Sequence, residues 1–251
     1  MTLRDIDAII LAGGLGTRLR PVLPDAQKVF APVAGEPFVF KLLALLQRHG
    51  IRRVTLALGH RAEDAVPYLP DWSKRFGMAI AASIEPAPLG TGGAARLACR
   101  LQDTETLLVL NGDSFVDADL TAMYDAHVAA AAQATLCVVH VEDMARFGWV
   151  RWDTASRKVL AFEEKSAAHA GHPGWINAGL YLLRRADLMQ LPDSTASSLE
   201  RDLLPRLAGE ALQAFPVTAP FIDIGLPETY RASAAFFAGD NIPFAQGTRS
   251  S

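Results

Sequence analysis

Asp7-Ala-Ile-Ile-Leu-Ala-Gly-Gly-Leu-Gly-Thr-Arg-Leu-Arg-Pro21 is the stretch from which the rest of the chain can be read. Asp7 to Leu11 reads as a buried strand. After Ala12 come Gly13, Gly14 and Gly16, which let backbone N–H groups approach an anionic ligand with no side chain in the way. Thr17 adds a hydroxyl, and Arg18 a rigid fork of N–H donors suited to phosphate. Glycine-rich turns are common by themselves, and this one is neither G-x-G-x-x-G nor G-x-x-x-x-G-K-[ST]. Placed with Thr-Arg at the carboxyl end of a first parallel strand, it points to phosphate binding, because ligands of α/β sheets sit at that edge.

Downstream of this loop, Phe38, Leu42, Leu45 and Leu46 recur at i, i+4, i+7 and i+8, one face of a helix. Pro37 suits its first turn and Gly50 its stop. Residues 54–58, 79–84 and 106–110 read as further strands, and 94–101 as a helix entered through a glycine-rich turn. This alternation predicts βαβ units and a largely parallel sheet. From 134 onward the pattern changes: 134–140, 148–152, 159–163 and 176–183 are strand-like, with little helix before 198–207. An alanine run at 129–132 fits a helix. The expectation is a Rossmann-like three-layer α/β sandwich with a mixed, mostly parallel sheet. It would form a single domain over 1–238, with 239–251 as a C-terminal tail.

The 251 residues are half hydrophobic and one-fifth charged, the balance of a globular protein, with a formal net charge of −3. No Lys/Arg run exceeds a pair, which argues against nucleic acid and membrane surfaces as partners. No apolar stretch approaches the roughly 20 residues of a membrane span, and the polar start does not resemble a secretory signal. Cys99 and Cys137 lie in apolar segments, expected to be reduced and buried. A cytoplasmic enzyme is the class these features favour, with a homo-oligomer left open.

Further motifs follow the first loop. Leu89-Gly-Thr-Gly-Gly93 opens a helix, so its backbone could line a nucleotide. Leu110-Asn-Gly-Asp113 puts a carboxylate at a strand's carboxyl end, and Phe221-Ile-Asp-Ile-Gly225 puts another, Asp223, far along the chain. Alone, either aspartate reads as a turn or cap residue, and Glu163-Glu164-Lys165 as a solvated charge run. His169 and His172 are spaced like a weak metal pair without companions, and no G-x-S-x-G elbow is present.

In this order, from about Asp7 to Tyr230, the segments resemble the sugar-1-phosphate nucleotidyltransferases, and Gly13-Gly14-Leu15-Gly16-Thr17-Arg18-Leu19 is similar to that family's opening motif. The resemblance implies the nucleotide-diphospho-sugar transferase fold and a site carried over residue by residue. Leu11, Ala12, Gly13, Gly14, Gly16 and Thr17 would face the nucleotide and Arg18 its triphosphate. Lys28 would be the phosphate-binding lysine, although Gln27 and Val29 stand where the family usually has prolines; Ala31-Pro32-Val33 keeps the register. Leu89, Gly90 and Thr91 would meet base and ribose, and Asp113 and Asp223 would hold Mg²⁺. Glu164 and Lys165 would bind the sugar phosphate, followed by Ser166 rather than the usual proline; Gly148, Asn177 and Gly179 would hold the sugar.

The implied reaction is in-line attack of a sugar 1-phosphate on the α-phosphorus of a nucleoside triphosphate, releasing pyrophosphate. Pro88 to Gly93, Leu110 to Asp113, Phe162 to Lys165 and Ile222 to Glu228 are most similar to D-glycero-α-D-manno-heptose 1-phosphate guanylyltransferases, implying GTP as nucleotide. The compact length adds the expectation that no C-terminal repeat domain follows. Mannose-1-phosphate guanylyltransferases, uridylyl- or thymidylyltransferases of another hexose 1-phosphate, and a non-catalytic nucleotide-sugar sensor are the alternatives.

Overall fold

A computed structural model describes residues 2–14, 16–19, 21–23, 28–163, 170–193 and 195–238. The chain opens with β1 (Asp7–Ala12), a small hairpin of β2 (Pro32–Val33) and β3 (Glu36–Pro37), then α1 (Phe38–Arg48) and β4 (Arg53–Leu58). Next come α2 (Leu69–Phe76), β5 (Ala79–Ile84), α3 (Gly90–Cys99), β6 (Thr106–Asn111), β7 (Ser114–Val116) and α4 (Leu120–Ala129). β8 (Ala134–Val141), β9 (Trp149–Trp152), β10 (Val159–Glu163), β11 (Gly174–Arg184) and α5 (Arg185–Met189) follow. A π turn (Leu199–Leu203), α6 (Leu204–Leu207), β12 (Leu212–Val217), β13 (Phe221–Asp223) and α7 (Pro227–Ala238) complete it.

β5, β4, β1 and β6 lie side by side in parallel, and β11 joins β6 antiparallel. β8 pairs antiparallel with β11 and parallel with β12, while β9 and β10 extend the other branch of the same nine-stranded sheet. The mixed half therefore belongs to one sheet, as the strand pattern predicts. β1 is covered on both faces because its alternating side chains feed two cores. Ala8 and Ile10 pack with α1 and Phe237, whereas Ile9 packs with Ala95, Ala98 and Leu203. From β1 the chain builds outward through β4 to β5; α3 then crosses back to β6 on the opposite side of β1. The strand order thus reverses between β1 and β6, the position where loops splay and leave a crevice.

Three local readings change. The helix expected at 94–101 starts at Gly90, with Gly92 and Gly93 inside it. A methyl on Gly92 would stand 2.8 Å from Ser197 Oγ and 3.1 Å from Ser197 O, so these glycines let the 195–198 segment dock on the helix. At 129–132 the helix instead ends, at Ala129, and Ala131 turns with φ 46°. The 198–207 helix is a π turn followed by the short α6, and α5 adds helix before it. Pro37 caps α1 and Gly50, at φ 78°, follows its end. The tail from 239 lies outside the described residues. Among the described residues no helix is long and apolar enough to cross a membrane.

Candidate active site

The crevice between β1 and β6 opens as a hollow of about 400 Å³. Leu11, Ala12, Gly13 and Gly14 line it from the β1 side, Asn111, Gly112 and Asp113 from the β6 side. The two loops touch through Gly112, whose N–H donates to Leu11 O at 2.9 Å; a side chain there would collide with the end of β1. Gly13 and Gly14 donate to no backbone carbonyl among the described residues, so their N–H groups remain available to an anion. Gly90, Thr91 and Ala94 form the far wall with Pro88 and Glu85. Glu85 sits so close to Gly13 that a methyl there would collide with its Oε1, and its Oε2 accepts from Leu89 N–H at 2.8 Å. Burial pushes the Glu85 carboxyl above its usual value, the Leu89 bond offsetting part of this.

A second hollow of about 120 Å³ shares Lys28, Asn111, Asp113 and Glu200 with the first. Its remaining lining includes Arg18, Phe147, Gly148, Asn177, Gly179 and Asp223. β11 slips register between Asn177 and Tyr181, and this bulge, with Gly179 at φ 74°, turns the Asn177–Gly179 backbone toward the cleft. Asn177 Oδ1 accepts from Gly179 N–H at 3.0 Å, and Asn177 N–H donates to Gly148 O at 2.9 Å.

β7 and β13 pair antiparallel and bring Asp223 beside Asp113, where Ile224 N–H donates to Asp113 O at 2.8 Å. Each carboxylate has a cation: Lys28 Nζ lies 3.1 Å from Asp113 Oδ2, and Arg146 Nη2 lies 3.3 Å from Asp223 Oδ2. Burial, and after it the Asp113 charge, push Asp223 above the ordinary carboxylate value; Gly225 N–H, Arg146 and Lys28 pull the other way. No group of three or more His, Cys, Asp or Glu able to hold a metal occurs among the described residues. Two converging carboxylates in an open cleft are nevertheless the donor set Mg²⁺ takes when substrate phosphates and water complete its octahedron. The residues present fit that ion.

The structure thus gathers Leu11, Ala12, Gly13, Gly14, Lys28, Gly90, Thr91 and Asp113 at one hollow, and Arg18, Gly148, Asn177, Gly179 and Asp223 at its neighbour. Three expectations fare differently. Leu89 is buried and lines neither hollow; its carbonyl accepts from Ser197 N–H. The α3 N–H groups of Gly92 and Gly93 both point to Ser197 O, so that part of the glycine motif serves packing and not a ligand. Gly16 also stays off the lining: it turns at φ 60° and its carbonyl caps Leu19 N–H, opening the Thr17–Leu19 turn. Glu164, Lys165 and His169 lie outside the described residues. Sequence reasoning missed Glu85, Arg146, Asn111 and Glu200. Glu85 was within reach, standing alone at the carboxyl end of β5; Glu200, inside a Glu-Arg-Asp run, carries no signal.

A D-glycero-α-D-manno-heptose 1-phosphate guanylyltransferase from Aneurinibacillus thermoaerophilus is 35% identical over 227 residues, covering 90% of this chain and 96% of that one. A mannose-1-phosphate guanylyltransferase from Mycobacterium tuberculosis is 35% identical over 244 residues, 95% of this chain and 67% of its own. The crystal structure of HddC from Yersinia pseudotuberculosis complexed with GMP-PN matches with a TM-score of 0.78 at 32% identity, covering 92% of this chain and 99% of that one. Since the family described as nucleotidyl transferase also matches residues 7–238, spanning both hollows and every strand between them, the chain belongs to the nucleotidyl transferases.

Proposed function

We propose that this enzyme transfers GMP from GTP to D-glycero-α-D-manno-heptose 1-phosphate, giving GDP-heptose and pyrophosphate. One observation carries the reading: two hollows, one glycine-floored and one lined by the Asn177–Gly179 bulge, meet at Lys28 and Asp113. Two anionic substrates bound in them would bring their phosphates together at that junction. The Glu85 wall favours guanine, whose N1–H and 2-amino group are adjacent donors for a carboxylate; adenine offers no such pair.

An oxygen of the sugar phosphate attacks the α-phosphorus, the bond to the β-phosphate oxygen breaks, and pyrophosphate leaves with that electron pair. The nucleophile is already anionic, so positioning and charge neutralisation make up the catalysis. Gly13 and Gly14 N–H groups, Arg18 and Lys28 hold the triphosphate, while Gly148, Asn177 and Gly179 hold the sugar. Glu164 and Lys165 orient the attacking phosphate. Asp113 and Asp223 would hold Mg²⁺, which would supply positive charge to the phosphates. The product serves surface glycans such as capsule or lipopolysaccharide, and the enzyme works in the cytoplasm.

Incubation with Mg²⁺, GTP and the heptose 1-phosphate should yield GDP-heptose and pyrophosphate in equal amounts by mass spectrometry. GTP consumption without a nucleotide-sugar would overturn the reading. Mannose 1-phosphate as acceptor is the second reading, favoured by the mycobacterial relative.

A further inference from the structure

Glu200 has no part in the roles above, yet it lines both hollows. It stands in the π turn Leu199–Leu203, and such turns recur at functional sites. Its carboxylate accepts from Thr91 Oγ1 at 2.6 Å and Ser198 Oγ at 2.8 Å through Oε2, and from the Tyr181 hydroxyl at 3.3 Å through Oε1. The fully buried Tyr181 hydroxyl accepts from Asn177 Nδ2 at 2.7 Å, and Asn177 Oδ1 takes the Gly179 N–H. Thr91 Oγ1 also accepts from Leu199 N–H at 3.0 Å, which ties the π turn to the start of α3.

An unbroken run of hydrogen bonds therefore crosses from the α3 wall of the nucleotide hollow to the β11 bulge of the sugar hollow. A partly buried carboxylate receiving three hydroxyl protons holds its partners in a defined arrangement, and such satisfied networks rigidify what they connect. In-line transfer is sensitive to that arrangement, because a misplacement of about 1 Å can cost on the order of 100-fold in rate.

We infer that Glu200 is a positioning residue coupling the two hollows, so that a nucleotide held against Thr91 sets the Asn177–Gly179 bulge for the sugar phosphate. The coupling is reciprocal by linkage. The inference rests on the proposed function, since it assigns one substrate to each hollow.

Titration calorimetry with α,β-methylene-GTP and with the heptose 1-phosphate, each alone and with the other saturating, reads the coupling directly. In the unmodified enzyme with Mg²⁺ each ligand should tighten the other about 5-fold or more. Glu200→Gln, which turns an amide donor toward hydroxyl donors, should abolish the enhancement. Tyr181→Phe should do the same from the other end and carries the test if Glu200→Gln fails to fold. Ser198→Ala, which leaves both the Thr91 and Tyr181 links intact, should keep it. Enhancement that survives both Glu200→Gln and Tyr181→Phe, or that is absent from the unmodified enzyme, overturns the inference alone. Failure of either ligand to bind the unmodified enzyme overturns the functional reading with it.

Discussion

The carboxylates of Asp113 and Asp223 are brought side by side where β7 pairs with β13. Lys28 and Arg146 each accompany one carboxylate, which offsets the repulsion between the two acids in a partly buried place. Asp113→Asn and Asp223→Asn should each lower kcat/KM by about 100-fold or more, on the order of 3 kcal/mol, with the melting temperature retained. Chelation should abolish turnover of the unmodified enzyme and added Mg²⁺ restore it. Glu85 carries a different prediction. Its folded-state pKa is raised by burial, so its stabilising contribution is present below the unfolded value and is lost as pH rises through the folded value. Glu85→Gln should therefore gain melting temperature relative to the unmodified enzyme at pH 8 and show no gain near pH 4. The same variant should narrow the preference for GTP over ITP, which lacks the 2-amino donor. Arg18, Lys28 and the aspartates were legible because they sit in ordered motifs. Arg146 was not, because it reaches Asp223 across 77 positions of sequence and only the folded loop shows the pairing.

Among the elements, strands were easier to read than helix starts. β1, β4, β5 and β6 are short apolar runs that each feed a core, and their sequence ranges match the observed ones closely. The start of α3 was misplaced because glycine weakens a helix when judged by propensity alone. Here tertiary packing decides: Ser197 occupies the space that side chains on Gly90 or Gly92 would fill, and the Leu89 side chain and Thr195 O that beside Gly93. Gly92→Ala should then destabilise the protein by about 1–3 kcal/mol in urea unfolding, as overpacking against backbone does. Gly14→Ala is the contrast, since a methyl there meets nothing within 4 Å. Its stability should stay within about 0.5 kcal/mol of the unmodified protein. The turn carrying Glu200 was read only as part of a 198–207 helix, because its contact with α3, Leu199 N–H to Thr91 Oγ1, joins residues 108 positions apart.

Over the whole molecule, function follows from topology. The reversal of strand order between β1 and β6 creates the crevice, and the antiparallel half supplies the neighbouring hollow through the β11 bulge. The first half was legible from its alternation of strands and helices. The branch in the second half was not: β9 and β6 pair with different stretches of the 11-residue β11, at Ile176 and at 180–184, while β8 pairs along both, a choice that local pattern does not encode. On the proposed reading, base and sugar choice would likewise belong to two walls assembled from distant segments, Glu85 with Gly13 on one side and Gly148 with Asn177 on the other. The most direct test of guanylyl transfer to a heptose is a matrix of kcat/KM values. GTP, ATP, UTP, CTP and dTTP are each paired with the 1-phosphates of D-glycero-α-D-manno-heptose, mannose and glucose. GTP with the heptose should lead, and mannose 1-phosphate should follow more weakly because it leaves polar groups of the pocket unpaired. A lead for UTP or dTTP with glucose 1-phosphate would contradict it.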